Sequence, residues 1–342
     1  MAADKVILAG VEGGATHSTL MIFNGQMKTL ATIEGPSTNI FQLGHDETCN
    51  RIQSMIADGL TAAKLDSKTK LKSIGLSLSG CEREETNKEL IGNMKRLFPD
   101  LCEDYAAVSD TMGTLATASE NGGIVLIAGT GSNALLVNPD GSTSRCGGWG
   151  HLLGDEASGY WIALKAVKTY FDHEDKKSIS PHPMEDVKNA IFKYFNITDR
   201  FDLLVHCYET FKKEQFAGLC MPLSELAVQG DPLCKEIFAA AGKELAMHLL
   251  AMADDISAEL VDTKGGLPVV CIGSIWKAWA HLKSGFLAEL KERNNGRLKA
   301  VQLLSLKVGM PVGAAYLGAK VAKFDLPRNY SDNTITFHHE VL

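Results

Sequence analysis

The sequence predicts an α/β protein of two domains with related topology. A strand–turn–strand unit occurs twice, first from Lys5 to Phe23 and again about 115 residues later, from Gly123 to Val137. The rest of the chain mixes short apolar runs, typical of buried strands, with apolar residues at helical spacing. The length of 342 residues suits about two domains. A repeated supersecondary plan indicates two related domains; the alternative is that two hairpins merely look alike.

The first copy is a chain of strand candidates separated by turn signals. The apolar run Lys5 to Val11 meets the small-residue turn Glu12 to Thr16, and a second strand follows from Ser18 to Phe23. The dipeptide Asn24-Gly25 then predicts a type I′ hairpin turn. A third strand is predicted from Lys28 to Glu34, ending at a Gly-Pro pair.

The segment between the copies reads as alternating helices and strands. Apolar residues at helical spacing predict a helix from Asp46 to Lys64 and another from Glu84 to Phe98. Buried strands are predicted from Ser73 to Ser79 and from Ala106 to Ser109, the latter delivering Asp110 at its carboxyl end.

The second copy opens a helix-rich region. A strand at Gly123–Ala128, the turn Gly129 to Ser132 and a strand at Ala134–Val137 repeat the first plan. The predicted domains are residues 1–118 and 119–342. Further helices are predicted at Asp155–Tyr170, Met184–Tyr194, Leu203–Lys213, Leu223–Val228, Pro232–Met252, Ile275–Glu292 and Gly313–Lys323, and strands at Leu267–Ile272 and Ala300–Leu306.

Composition excludes several classes of protein. The formal net charge is −7 and no Lys/Arg cluster is present, so a nucleic-acid partner is not expected. The first residues carry no basic region, and no segment reaches 18 consecutive apolar residues. We therefore expect a cytoplasmic protein without a membrane partner. The eight cysteines are scattered without a CxxC pair, which favours reduced thiols over disulfides.

Glycine-rich turns are the main functional signal. The segment Gly129 to Ala134 matches GxGxxA, but a strand follows it, whereas a dinucleotide site needs a helix there. No Walker motif is present. The remaining phosphate-binding arrangement is a β-hairpin cradle of backbone N–H groups with a hydroxyl at its tip, supplied by Thr16 in one copy and by Thr130 with Ser132 in the other. A single such turn would more simply be an ordinary tight hairpin.

Asp110 follows a predicted strand, where ligands bind in open α/β sheets. A carboxylate there can accept the proton of a hydroxyl nucleophile. The alternative is an N-cap for the next helix, and the two roles are compatible.

The block Cys146 to His151 surrounds Trp149 with glycines. A tryptophan in that setting suits a wall against a sugar ring or an acetyl methyl group. Asp155 could bind hydroxyls or cap a helix, and His151 is more simply a structural residue. No set of His, Cys and Asp residues has zinc-like spacing.

These motifs resemble the actin-like ATPase and sugar kinase superfamily, and within it the eukaryotic N-acetylglucosamine kinases of the BadF/BadG/BcrA/BcrD type. The similarity extends through nearly the whole chain, and its most specific part joins Gly147 to His151 with Gly154 to Glu156. Further matching motifs are Val11 to Ser18, Ser37 to Asn39, Gly75 to Gly80, Asp110, Gly129 to Asn133, Phe216 to Gly218 and Gly273 to Lys277.

The resemblance implies two actin-like (ribonuclease H-like) domains with a cleft between them. It implies a homodimeric kinase that uses ATP and Mg²⁺ to phosphorylate the 6-hydroxyl of N-acetylglucosamine in amino-sugar salvage, with N-acetylmannosamine and muramyl dipeptide as further acceptors. Asp110 would be the general base. Nucleotide contacts would come from Thr16, Thr130, Ala217 and Ser274, and sugar contacts from Asn39, Asp110, Ser132, Asn133, Gly148, Trp149, Gly150 and Asp155.

The chain departs from the superfamily pattern at two positions. Glu12 stands where an aspartate is common, which leaves open how it would relate to Mg²⁺, and Ala15 replaces a glycine of the first turn. The cysteine motifs of zinc-containing sugar kinases and of iron–sulfur ATPases are missing, so neither a structural zinc ion nor an iron–sulfur cluster is expected. The competing hypotheses are a non-catalytic actin-like sensor of nucleotide and sugar, and an actin-like ATPase with another partner.

Overall fold

The computed structural model describes residues 3–14 and 16–342. The strands are β1 (Ile7–Gly13), β2 (His17–Asn24), β3 (Thr29–Pro36), β4 (Leu71–Leu78), β5 (Cys102–Val108), β6 (Gly123–Ala128), β7 (Ser132–Val137), β8 (Thr143–Gly147), β9 (Leu267–Ile272), β10 (Ala300–Leu306) and β11 (Thr334–Val341). The helices are α1 (Ile40–Leu43), α2 (His45–Ala62), α3 (Glu84–Leu97), α4 (Asp110–Ala118), α5 (Gly159–Glu174), α6 (Glu185–Phe195), α7 (Lys213–Gly218), α8 (Cys220–Gln229), α9 (Pro232–Leu250), α10 (Ala258–Val261), α11 (Trp279–Arg293), α12 (Pro311–Val321) and α13 (Tyr330–Asn333).

The first sheet has the strand order β3-β2-β1-β4-β5. Strand β1 pairs antiparallel with β2 and parallel with β4, so the sheet is mixed. One face is covered by α2, whose predicted apolar stripe (Ile52, Met55, Ile56 and Leu60) is buried against the strands. Burial of this stripe drives the packing of the amphipathic helix onto the sheet.

The opposite face of the first sheet is covered by α12, which lies very close to the strands. Glycines at the contact make this possible: a Cβ on Gly10 would lie 1.9 Å from the Pro311 carbonyl oxygen, and one on Gly75 would lie 1.7 Å from that of Ala314. Because successive side chains of β1 alternate between faces, Glu12 lies on the same face as Gly10.

The second sheet repeats the first. Its order is β11-β10-β9-β6-β7-β8, in which β6 pairs parallel with β9 and β7 pairs antiparallel with β8. Apart from the extra edge strand β11, each strand has a counterpart in the first sheet. The prediction of an α/β protein with two mixed sheets flanked by helices is therefore confirmed.

The hairpin turns also repeat, although the first differs from the predicted type I′ turn. Asn24 begins a longer loop in which its N–H donates to the Lys28 carbonyl and Met27 takes the left-handed conformation, with φ 64°. In the second copy Asn138 begins the same loop, and the left-handed residue is Gly141. The Asn24-Gly25 dipeptide predicted positive φ angles at these two residues. The positive φ angle lies instead at Met27, because the loop is one residue longer than a type I′ turn.

Two other predictions about local structure were wrong, and two strands were missed. The helix predicted at Leu203–Lys213 is a π-helical turn at Val205–Glu209 followed by α7, and the apolar Leu204, Val205 and Tyr208 are exposed, so no stripe is buried to sustain a helix. The helix predicted from Asp155 begins at Gly159 and is capped by Ser158, because Asp155 and Ala157 are left-handed. The edge strands β8 and β11 were not predicted.

The chain divides into two compact units. One comprises residues up to Gly123 together with Leu304–Phe337, and the other comprises Ile124–Leu303 with His338–Leu342. The predicted boundary after residue 118 assigned Leu304–Phe337 to the second domain, whereas α12, within this segment, packs on the first sheet. Among the described residues, no helix combines the length and apolar character needed to cross a membrane. All eight cysteines are free thiols.

Candidate active site

Asp110 is the first residue of α4, directly after β5. It is not the helix cap, because the Ser109 hydroxyl oxygen accepts from the Met112 N–H. The Asp110 carboxylate instead accepts the Ser79 hydroxyl at 2.7 Å through Oδ2 and the Thr111 N–H at 2.7 Å through Oδ1. These two donors fix the carboxylate at the carboxyl end of the parallel strands, where a bound hydroxyl could reach it.

A second carboxyl group, Glu12, lies on β1 beside Ser77 of β4. Burial, and to a lesser extent the negative charge of Asp110, raise the pKa of Glu12 to about 7, while His17 opposes the shift. Ser77 also pairs with Val108 of β5, two residues before Asp110, so both carboxyl groups lie at the carboxyl ends of neighbouring parallel strands. Carboxylate oxygens are the ligands that Mg²⁺ prefers, so this donor set fits that ion.

The raised pKa of Glu12 predicts pH-dependent stability. Between the ordinary value of 4.5 and about 7, the folded protein keeps a proton that the unfolded chain has released, so stability falls as pH rises through this window. We expect Glu12→Gln to unfold at a higher temperature than the wild type at pH 8, with a gain on the order of 2–3 kcal/mol. Thermal unfolding at pH 5 and pH 8 measures this. The exposed Glu85→Gln is the control, and an equal effect of Glu12→Gln at both pH values would contradict the assignment.

Two residues near β1 that were predicted to bind phosphate or sugar, Thr16 and Asn39, make local contacts within the protein. Thr16 is exposed beyond the end of the strand, and its hydroxyl lies 3.0 Å from His17 Nδ1. Asn39 caps α1 with its side-chain oxygen, which accepts from the N–H groups of Phe41 and Gln42. Ala15, whose effect on the turn was left open, lies outside the described residues.

In the second unit, Asp155 and Ser132 are bonded to each other beneath the second glycine turn. Asp155 Oδ1 accepts the Ser132 N–H at 3.0 Å, and the Lys213 ammonium lies 2.7 Å from Asp155 Oδ2. The Ser132 hydroxyl and the Asn133 side-chain oxygen are buried without a hydrogen-bond partner among the described residues. A buried polar atom without a partner is costly, so both atoms are suited to meet a polar ligand.

The predicted tryptophan wall is held on a glycine loop. Gly147, Gly148 and Gly150 all have left-handed φ angles near 80°, which only glycine adopts easily. Arg145 donates to the carbonyls of Gly147 and Gly148, and its guanidinium lies 5.5 Å from the Trp149 ring centroid. The indole is 67% exposed and therefore available to a ligand.

Asn133 and His151 are neighbours of this glycine loop, and they contact different groups. Asn133 lies against Gly148, since a Cβ on that glycine would meet the Asn133 Cγ at 3.1 Å. The His151 ring packs 5.0 Å from Tyr160 and 5.3 Å from Phe211, which agrees with a structural role.

Three residues predicted to contact the nucleotide lie around one cavity. Thr130, Ala217 and Ser274 line a cavity of about 400 Å³ in the second unit. The parallel pairing of β6 and β9 brings the two glycines that follow them together, and a Cβ on Gly273 would lie 2.9 Å from the Gly129 nitrogen. Gly129, at this contact, itself lines the cavity.

Sequence reasoning missed most of the other lining residues. Cys220, Met221, Ser224, Phe238 and Ala278 also face the cavity. With Ala217, the first three follow the spacing of one helical face, which was a usable signal. Burial raises the pKa of the Cys220 thiol to about 12, so this cysteine stays protonated and is not a nucleophile. Within residues 3–14 and 16–342, no group of three His, Cys, Asp or Glu side chains is arranged to hold a metal ion.

Comparison with known proteins gives relatives and a fold neighbour. The chain is 30% identical to the N-acetylmuramic acid/N-acetylglucosamine kinase of Clostridium acetobutylicum over 75% of this chain and 84% of that protein. It is 27% identical to the N-acetyl-D-glucosamine kinase of Dictyostelium discoideum over 70% of this chain and 77% of that protein. A structure of a candidate N-acetylglucosamine kinase from Chromobacterium violaceum shares the fold, with a TM-score of 0.65, 23% identity and coverage of 92% of this chain and 99% of that one.

The sequence profile of one family matches most of the chain. The matched residues, 9–318, include both glycine turns and both candidate sites. The chain therefore belongs to the BadF/BadG/BcrA/BcrD ATPase family.

Proposed function

We propose that the protein is an ATP-dependent kinase that phosphorylates the 6-hydroxyl of N-acetylglucosamine. The observation that carries this proposal is the cavity in the second unit. Thr130, Ala217 and Ser274 come from separate parts of the chain and line it together, and the turn that carries Thr130 leads directly to Ser132. A nucleotide site and polar side chains suited to a sugar are thus adjacent on one element. Membership of an ATPase family implies ATP as the nucleotide.

Each unit would contribute a separate part of the chemistry. Asp110 would accept the proton of the attacking hydroxyl, and the glycine turns with Thr16 and Thr130 would bind phosphate groups. Ser132, Asn133, Asp155 and the Trp149 loop would bind the sugar. Phosphoryl transfer depends mainly on positioning and charge stabilisation. Mg²⁺ would neutralise phosphate charge when bound, and the carboxyl group of Glu12, which is not assigned to proton transfer, is suited to hold it.

The proposal is tested by an ATP-consumption assay with four sugars. N-acetylglucosamine, N-acetylmannosamine, glucosamine and glucose are compared under identical conditions. We expect rapid ATP use with N-acetylglucosamine and little without sugar. ATP use that is independent of every sugar would favour the actin-like ATPase with another partner. Binding of ATP and sugar without turnover would favour the non-catalytic sensor.

Thr130→Val tests the nucleotide part of the site. The substitution removes a hydroxyl at nearly constant volume, and a charge-assisted hydrogen bond is worth about 1.5–3 kcal/mol. We expect kcat/KM for ATP to fall by about 10–100-fold, while sugar affinity without nucleotide stays close to that of the wild type. Steady-state kinetics and calorimetry measure the two quantities. Thr143→Val, at an exposed position on β8, is the matched control. An unchanged kcat/KM for ATP in Thr130→Val would show that the turn from Gly129 to Ser132 is an ordinary hairpin without a role in nucleotide binding.

The wider biological assignment follows from the family resemblance. We propose that the enzyme acts as a cytoplasmic homodimer in amino-sugar salvage and also accepts N-acetylmannosamine and muramyl dipeptide. The name of the Clostridium relative, which includes N-acetylmuramic acid, supports acceptance of a sugar with a bulky 3-substituent. Light scattering tests the dimer, and the sugar assay extended to muramyl dipeptide tests the acceptor range.

A further inference from the structure

One ion pair of the second unit, whose carboxylate is buried and whose ammonium is partly exposed, joins the proposed sugar site to the proposed nucleotide site. Asp155 is 4% exposed at its side chain, and the Lys213 ammonium, 24% exposed, lies 2.7 Å from its Oδ2 atom. The motif that suggested Asp155 gives no hint of Lys213, which is far away in the sequence. A buried carboxylate needs such a partner, because an uncompensated charge in the protein interior is strongly unfavourable.

The ion pair lies directly against the second glycine turn. A Cβ on Gly131 would lie 2.7 Å from Asp155 Oδ1 and 3.0 Å from the Lys213 nitrogen, so the turn has room for the pair only because this residue is glycine. Asp155 Oδ1 also accepts the N–H of Ser132, the next residue along the chain. The carboxylate is therefore held from two sides, by backbone and by ammonium.

Lys213 also begins the helix that leads into the nucleotide cavity. It is the first residue of α7, and Glu214 and Ala217 of the same helix line that cavity. Asp155 itself adopts φ 64°, a left-handed conformation that a residue with a side chain rarely takes. Its two polar partners supply contacts that hold the side chain in place on this unusual backbone.

We propose that Lys213 is a positioning residue for the transfer reaction. It holds the Asp155 carboxylate beneath the glycine turn, ready for sugar hydroxyls, and ties the start of the nucleotide helix to the same point. This inference rests on the proposed function, because it gives Lys213 a role at the site where the sugar would bind. Lys213 acts through Asp155 and is not assigned a contact with either substrate.

Kinetics of Lys213 variants test the proposal. Lys213→Met removes the charge at similar length, and we expect the KM for N-acetylglucosamine to rise at least about tenfold, because truncating one member of a buried charge pair leaves the other unpaired. Lys213→Arg keeps the charge and should recover most of this loss. The neighbouring Lys212 is exposed, and Lys212→Met is the matched control, with an expected KM like that of the wild type.

The split between KM and kcat separates positioning from a purely structural role. Loss of folded enzyme lowers the apparent kcat and leaves KM unchanged, whereas a misplaced Asp155 changes the KM for the sugar. An unchanged sugar KM in Lys213→Met, with an active wild type, would overturn the role of Lys213 and leave the proposed function intact. A wild type that transfers no phosphate to the sugar would overturn both.

A double variant completes the test and remains useful if Lys213→Met does not fold. Asp155→Asn with Lys213→Met removes both charges, so no unpaired buried charge is left. If Lys213 acts through Asp155, the double variant should have a sugar KM within about twofold of that of Asp155→Asn alone. The effects of the two substitutions on KM would then be strongly non-additive. Additive losses would show that Lys213 acts independently of Asp155 and would overturn the proposal.

Discussion

Replacing Asp110 by asparagine is expected to lower kcat by about 10²–10⁴-fold, the usual contribution of a general base. The substitution preserves the shape of the side chain and removes its capacity to take a proton. Binding of N-acetylglucosamine should weaken much less, because the amide still offers an oxygen and an N–H group to a sugar hydroxyl. Steady-state kinetics with calorimetry of sugar binding measures both quantities.

Two controls make the Asp110 experiment specific. Asp58→Asn changes an exposed aspartate of α2 in the same unit and should leave kcat unchanged. Ser79→Ala removes the hydroxyl that donates to Asp110 Oδ2 but keeps the carboxylate. The decrease in kcat should therefore be much smaller than in Asp110→Asn. A kcat like that of the wild type in Asp110→Asn would refute the assignment of the base.

Selection of the acetyl group should be the second large effect. We expect kcat/KM for N-acetylglucosamine to exceed that for glucose by more than about 100-fold, because a site that pairs with a substrate N–H group is left with unpaired polar groups when that N–H group is missing. Trp149→Ala should reduce this ratio, since the exposed indole would no longer cover the acetyl methyl group. Steady-state kinetics with both sugars measures the ratio.

The comparison with Asp155→Ala separates selection from general affinity. A lost hydroxyl contact weakens both sugars about evenly, so this variant should leave the ratio between them nearly unchanged. Trp161→Ala, on α5, controls for loss of a tryptophan as such. If Trp149→Ala slows both sugars equally, Trp149 contributes packing and does not select the acetyl group.

The interior of the fold could be predicted from the sequence because its signals are local. Buried strands such as β1, β4 and β9 are rich in apolar residues and bounded by turns, and the stripe of α2 has clear helical spacing. No residue of the edge strands β8 and β11 is fully buried, and polar and apolar residues are mixed in them, so composition gave no comparable signal. Around Leu204 the spacing suggested a helix, but its apolar side chains face solvent, and tertiary burial decides such cases.

The candidate site was predictable where a motif names the residue and not where folding brings distant residues together. Asp110, Thr130 and Trp149 belong to recognisable short segments. The left-handed backbone of Asp155 and its pairing with Lys213 depend on tertiary contacts that no local pattern encodes.

The most direct test of the central claim is the identity of the product. Phosphorus NMR of wild-type protein incubated with ATP, Mg²⁺ and N-acetylglucosamine follows every phosphate in the mixture. We predict equal amounts of ADP and of a sugar phosphate whose phosphorus couples to the two protons on carbon 6. Release of inorganic phosphate without a sugar phosphate, or transfer to another hydroxyl, would contradict the account.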